Sequence, residues 1–255
     1  MEERKDLPNE TEQTEIKREK VRVIPIRYFD DFPGHPFQIH DDEKMRELEE
    51  SVREYGVLTP VLARKKPDGR YELISGHRRK YACLKIGIDA LPTILRDFSD
   101  DEAVIAMVDS NLQRESVYPS EKAIAYRMKL EAMNRQGKRT DLTSTPVVSK
   151  LRTSEIVGKE AGESREQIRR YIRLTFLNKD LLALVDQQKI AFRPAVELSY
   201  LTPTEQNDLF ETIGSEEATP SLSQSIRMKK LSQSGKLDMD SMLKVSDVIK
   251  NITVI

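Results

Sequence analysis

Every strand signal in this 255-residue chain lies before residue 97, and nearly everything after it carries helical spacing. A sheet confined to the first third leaves the remainder to bury its apolar positions helix on helix. The strand signals are residues 21–26, 60–63, 71–74 and 91–95, short apolar runs bounded by turn residues. Pro67-Asp68-Gly69, between the second and third, predicts a turn: Pro sets φ and Gly tolerates a positive one. Pro92 lacks an amide donor and predicts an edge position for the last strand. Residues 30–39, with Pro33, Gly34 and Pro36, predict a loop. Met45, Leu48, Val52 and Tyr55 recur at helical spacing, and Gly56 is expected to end that helix in a left-handed conformation. A second helix leaves Ser75-Gly76-His77-Arg78-Arg79 and runs to Ile86, where Gly87 closes it. The fold class is therefore α-rich α+β: a small N-terminal α/β domain followed by an all-α region.

The helical region begins with Ser99 and Glu102, a capping box for a helix reaching residue 112. A second helix is expected over 120–136. Residues 138–152 are polar, contain Pro146 and predict a loop. Helices at 154–161, 164–175, 179–188 and 193–201 follow. Thr202-Pro203-Thr204-Glu205 announces another, with a capping residue, a proline at the first helical position and an acid at the third. Thr219-Pro220 opens one more, and 239–252 has weak helical periodicity. The expected division is a tail (1–20), an α/β domain (21–97), connecting helices (98–137), a loop (138–152), a helical domain (153–235) and a short C-terminal segment (236–255).

Charge is informative locally. The net charge is −1, so the chain as a whole gives no sign of a polyanion partner. From Arg135 to Arg173, however, ten Lys and Arg face five Asp and Glu. That suits a nucleic-acid contact, although charge alone favours the plainer reading of a solvated helical face. Cys83 is the only cysteine, which excludes an internal disulfide and fits a reducing compartment. The first twenty residues are charged and lack the apolar core of a signal peptide. No apolar run reaches the roughly 20 residues of a spanning helix. The expected location is cytoplasmic, without membrane association.

Residues 154–174 hold the parts of a helix-turn-helix. Ile156, Val157 and Ala161 offer an apolar face for the first helix. Gly162 allows the turn. Ser164 and Gln167 form a capping box, and Ile168 and Ile172 anchor the second helix at i and i+4. Arg165 and Gln167, near its N-terminus, are candidates for base contact. Arg169, Arg170 and Arg173 are candidates for phosphate contact. An ordinary helical hairpin shows the same signals.

Two further clusters carry chemistry. Gly76, followed by a helix N-terminus bearing His77, Arg78 and Arg79, has the makings of an anion site. Glycine lets a phosphate approach the backbone, and the free N–H groups and the guanidiniums bind it. At Asn111-Leu112-Gln113-Arg114, the Asn111 carbonyl oxygen can ligate a metal and Arg114 can meet phosphate. A surface basic turn and a polar helix end are the plain alternatives.

The order of these elements resembles the ParB/Spo0J family. The resemblance rests on residues 47–56, Thr59-Pro60-Val61, residues 71–79, residues 111–114, the helix-turn-helix and residues 190–198, and it spans about 21–215. It implies a ParB/sulfiredoxin-like N-terminal fold, a palindromic centromere-like site on double-stranded DNA, a homodimer, a ParA-type partition ATPase as partner and association with the nucleoid. It also implies CTP and Mg²⁺ in a clamp-forming N-terminal domain. Gly76, Arg78 and Arg79 match the family's phosphate motif, and Asn111 matches its Mg²⁺ ligand, with Gln113 and Arg114 completing that motif. Ser164 to Arg173 match the recognition helix. Three positions depart from the pattern. Gln38-Ile39-His40 stands where Gln-Pro-Arg is common, Lys80-Tyr81 reverses the usual aromatic-then-basic order, and Ser110 stands where a glutamate associated with hydrolysis is common. Serine has no carboxylate, so no catalytic residue is assigned and CTP hydrolysis is not expected beyond a weak level. Rival readings are a local transcriptional regulator on a mobile element, a nuclease, a sulfiredoxin-type enzyme and an interaction scaffold. Sulfiredoxin chemistry needs a cysteine where Gly76 stands.

Overall fold

The computed structural model describes residues 19–114, 116–140 and 146–247. Its five strands are β1 (Val21–Pro25), β2 (Phe29–Asp31), β3 (Val61–Lys65), β4 (Tyr71–Ser75) and β5 (Ala90–Leu95). They form one mixed sheet in the order β1-β5-β3-β4-β2. β1 and β5 pair antiparallel, as do β3 and β4, whereas β3–β5 and β2–β4 are parallel. A short 3₁₀ turn, Ile26–Tyr28, joins β1 to β2.

Helix α1 (Glu43–Tyr55) starts where the Asp42 carboxylate accepts the Met45 amide, and α2 (His77–Ile86) starts at Gly76. Alternate residues of β4 show how the sheet is covered. Leu73 is buried with Val52, Val61, Cys83 and Leu91, and its neighbour Ile74 is buried with Ala103, Met107, Val108 and Ala125. Successive strand residues face opposite sides, so the sheet is covered on both faces at β4. The second face is covered by α3 (Asp100–Leu112) and α4 (Pro119–Thr140). Ser99 and Glu102 form the capping box of α3. Cys83 is fully buried and burial pushes its thiol up, the opposite of what a reactive thiolate needs.

The helix-turn-helix is α5 (Pro146–Ala161) and α6 (Arg165–Leu174). Beyond it lie α7 (Lys179–Asp186), α8 (Phe192–Leu198), α9 (Pro203–Glu216), α10 (Leu222–Gln233) and α11 (Met239–Asp247). Their shared core includes Leu174, Leu181, Ile190, Leu198, Leu209, Met228 and Met242. Thr202 and Glu205 form a complete capping box with Pro203 in the first turn, as expected.

Several expectations are corrected. Residues 30 and 31 belong to β2, because the parallel ladder with β4 supplies the hydrogen bonds that a loop would leave to water. β5 is an interior strand. Its β3 ladder covers only residues 93–95, so Pro92 lies beyond the last pair, Val61 with Thr93, and owes no donor on that side. Most of the segment read as a loop, 138–152, is helical. α4 continues to Thr140 and α5 begins at Pro146, with 141–145 outside the described residues. Proline is at home in a first turn, where no amide donor is required, so Pro146 opens a helix rather than breaking one. Ile156 is 41% exposed, leaving Val157 as the buried anchor of that helix. Ser164 caps the Gln167 amide, while the reciprocal half of that capping box is absent from the described contacts. Ser221, not Thr219, caps α10. Gly56 has φ 71° as expected, but ψ −169° takes it out of the left-handed helical well.

Candidate nucleic-acid interface and anion cleft

The helix-turn-helix is held by apolar anchors on one side and carries most of its charges on the other. Val157 of α5, Ile168 of α6 and Tyr126 of α4 form a small core, with Ile172, Ala161 and Tyr171 half-buried around it. Burying Val157 and Ile168 contributes about 2 kcal/mol each. Gly162 adopts φ 66° in the turn, and Ser164 caps α6. Arg169 is exposed and pairs with Glu166 at 3.3 Å on the helix surface. Ser164 is exposed, and Arg165, Gln167 and Arg170 are half-buried on the same short helix.

Arg173 is placed differently. Its guanidinium donates to Ser199 Oγ and O at 3.0 and 2.6 Å. It also lies over the rings of Tyr200 (3.9 Å) and Phe176 (4.4 Å). Those contacts tie the end of α6 to the end of α8.

Gly158 is a contributor that sequence reasoning missed. A Cβ there would sit 2.7 Å from the Glu163 carbonyl oxygen, and the Glu163 amide donates to Gly158 O at 2.9 Å. The α5 backbone thus touches the backbone of the turn directly. The only signal available in sequence was a glycine inside a helical pattern, which marks close packing.

The second site is a cleft of about 680 Å³ lined by Gln38, His40, Arg78, Arg114, Tyr118 and Lys122, with Asp186 and Gln188 from the end of α7. Arg78 enters from the first turn of α2 and is ion-paired with Asp42 at 3.4 Å. Arg114 follows the end of α3, half-buried, with its guanidinium 5.5 Å from the Phe37 ring. Burial and the nearby Arg78 both lower its affinity for a proton, as expected of two cations sharing one cleft. The buried Glu121 carboxylate holds the cleft wall by accepting the Gln38 and Tyr118 amides at 2.7 and 3.0 Å. His40, from the segment that departs from the family pattern, lines the same cleft and meets Tyr118 edge-on.

The other residues of the two motifs are dispersed. Gly76, at φ 110°, has no room for a side chain: a Cβ would lie 2.5 Å from Val61 Cγ1. Arg79 turns away from the cleft and donates to the Thr59 and Pro60 carbonyls. Gln113 lines a separate cavity beside α5. Asn111 is buried in the last turn of α3, its amide nitrogen donating to Met107 O at 2.8 Å, which leaves Oδ1 for a cation. Among the described residues no group of three or more His, Cys, Asp or Glu could hold a metal ion. One neutral oxygen suits Mg²⁺ only where phosphate oxygens and water complete its shell. Ser110 donates to Met107 O and offers no carboxylate.

His77 is buried with both ring nitrogens unpartnered, its ring 4.0 Å from that of His35. Burial, reinforced by His35, pushes it down to about 3. A histidine that stays neutral when folded but takes a proton when unfolded gives full stability above its ordinary value of 6.5 and loses it as pH falls from there towards 3. The loss approaches about 1.4 kcal/mol per pH unit. His77→Phe is expected to flatten that acid branch in urea denaturation at pH 7 and pH 5. An unchanged pH slope would remove His77 as its source.

The fold, with its mixed sheet followed by helices, is that of the ParB N-domain class. A pNOB8-like ParB N-domain shares it at a TM-score of 0.56, with 16% identity over 92% of this chain and 97% of that one. Residues 10–112 match the ParB N-terminal domain, which assigns this part of the chain to that family. It is 30% identical to the nucleoid occlusion protein of Geobacillus sp. (strain WCH70) over 77% of this chain and 65% of that one. It is 33% identical to stage 0 sporulation protein J of Bacillus subtilis over 68% of this chain and 55% of that one. The chain spans less than two thirds of the length of these curated relatives. No helix among the described residues is long and apolar enough to cross a membrane.

Proposed function

We propose that the chain is a sequence-specific double-stranded DNA-binding protein of the partition type, reading a palindromic, centromere-like site as a homodimer. The observation that carries this is the reader: a capped α6 seated by Ile168, with Arg165 and Gln167 in its first turn and Arg169 and Arg170 following. Arg165 and Gln167 take the base contacts, because the N-terminal residues of a recognition helix approach the base edges. Arg169 and Arg170, with the exposed N-terminus at Ser164, take phosphates. Arg173 serves by fixing α6 against α8. Arg165→Ala is expected to weaken binding to the specific site by about 1–3 kcal/mol, with a smaller effect on random DNA. Equal losses on both would take Arg165 out of base readout.

The cleft is read as a nucleotide triphosphate site, with CTP as the ligand implied by the family. Arg78 and Arg114 would meet the phosphates, and Asn111 Oδ1, at the neighbouring end of α3, would hold Mg²⁺, which would supply neutralisation of the phosphate charge. Gly76 and Arg79 shape the N-terminus of α2, His77 packs beneath it, and Gln113 faces α5. With Ser110 in place of a carboxylate, the site is expected to bind the nucleotide and to hydrolyse it at most weakly. A ParA-type ATPase is the expected partner and the nucleoid the expected location. Ser110 and the Gln38-Ile39-His40 segment also favour a second reading, a site-bound regulator without clamp activity. Crosslinking and sequencing of bound DNA in the native cell separates the two. A site flanked by kilobase-scale enrichment supports a clamp, and sharp peaks without flanks support the regulator.

A further inference from the structure

Lys129, in the middle of α4, is 2% exposed, yet no motif includes it. Its Nζ lies 2.5 Å from Asp109 Oδ1 on α3 and 2.7 Å from Glu160 Oε2 on α5. An ammonium is costly to bury unless it is paired and hydrogen-bonded, and these two carboxylates meet that condition. They come from opposite sides. Asp109 lies in the last turn of α3, immediately before the segment bearing Asn111 and Arg114. Glu160 lies in the last turn of α5, immediately before the turn of the reader. α4 packs against both helices. Beside the lysine the two helix ends face a cavity of about 470 Å³, lined by Gln113, Tyr126 and Glu163 among others. Apolar contact at this point comes from Leu112 of α3 against the Val157, Ile168 and Tyr126 cluster, and the lysine bridge is the charged link between the two helix ends.

The exposure of the partners makes the bridge responsive. Asp109 and Glu160 side chains are 45% and 52% exposed, so either acid can move towards water at small cost. The lysine has no such freedom. If the end of α3 shifts, Lys129 must follow Asp109 or be left with Glu160 alone, and in both cases the end of α5 feels the change.

We infer that Lys129 is a positioning residue that sets the placement of the DNA reader from the end of α3, and so carries a shift at the anion cleft to α5 and α6. The second half of this inference rests on reading the cleft as a triphosphate site.

The test uses the full chain with Asp109→Ala and Glu160→Ala, whose half-exposed acids are removable without emptying the core, and with Lys129→Met. Amide hydrogen exchange is measured without any ligand. All three variants are expected to exchange about tenfold faster in α5 and α6, while β3, β4 and β5 keep wild-type protection. DNA affinity is then measured with and without CTP and Mg²⁺. The ratio of the two affinities, different from one in the wild type, is expected to collapse towards one in Asp109→Ala and Glu160→Ala. A role confined to stability would lower both affinities and leave their ratio intact. Unchanged exchange in α5 and α6, or exchange that rises equally in the sheet, overturns the positioning role. Should exchange respond as expected while CTP leaves wild-type DNA affinity unaltered, the positioning role stands and the triphosphate reading of the cleft falls. If Lys129→Met does not fold, the two acid variants decide the matter alone.

Discussion

Gly76→Ala is expected to destabilise the protein by about 2–5 kcal/mol. Two costs combine. At φ 110° an L side chain is strained whatever the space around it, and here there is none: the new Cβ would meet Val61 Cγ1 at 2.5 Å and Val61 Cβ at 2.9 Å. Val61 is fully buried at the start of β3 and cannot step aside without disturbing the ladder to Thr93. Gly69→Ala is the control. It shares the positive φ, at 85°, but has nothing within 4 Å, so it keeps only the backbone part of the cost. Urea denaturation of both variants checks the argument. Equal losses would mean that the contact with Val61 is relieved cheaply. A clearly larger loss at Gly76 would show that the glycine sets how closely the N-terminus of α2, and Arg78 with it, approaches the sheet.

The second large effect is expected at Gly158. Alanine is ordinarily the better helix former by about 1 kcal/mol, so the substitution should stabilise an unencumbered helix. Gly214 in α9 meets that description, because a Cβ there would have no neighbour within 4 Å outside its own helix backbone. Gly214→Ala is accordingly expected to raise stability by about 0.4–1 kcal/mol. Gly158→Ala should reverse the sign and cost about 1–3 kcal/mol, because its Cβ would press on the Glu163 carbonyl at 2.7 Å and on the Arg165 amide at 3.3 Å. Both are backbone atoms, one in the turn and one in the first residue of α6, so relief requires α6 to tilt. Site-specific DNA binding should then fall by more than the stability loss accounts for, measured at a temperature where the variant remains folded. Wild-type affinity in a folded Gly158→Ala would sever the proposed link between this contact and the placement of α6.

Much of the local structure was legible from residue types alone. Ser99 with Glu102 and Thr202 with Glu205 are capping boxes in the structure, and Gly87 and Gly162 both take positive φ. These signals act within one helical turn, where neighbouring residues decide the backbone. The misreadings involve partners distant in sequence. β2 depends on β4, some forty residues away, for its hydrogen bonds. Pro92 was compatible with the interior because the ladder to β3 begins one residue beyond it. Pro146 carried the same chemistry as a helix opener and as a loop residue, and the sequence around it did not choose between them.

The candidate sites divide in the same way. The sequence placed arginines at the N-termini of α2 and α6 and a polar cluster at the end of α3. It did not separate Arg78, which lines the cleft, from Arg79, which binds the Thr59 and Pro60 carbonyls. Nor did it distinguish the exposed Arg169 from Arg173, which is enclosed by Ser199, Tyr200 and Phe176. Lys129 drew no notice because a lysine on a helix is ordinarily solvated. By itself the sequence determined most of the helices and four of the five strands, and where most of them stop, since periodicity and capping are properties of adjacent residues. Only the tertiary structure decided what each charged side chain meets, because that depends on which carbonyl, ring or carboxylate a distant segment brings within about 3–4 Å.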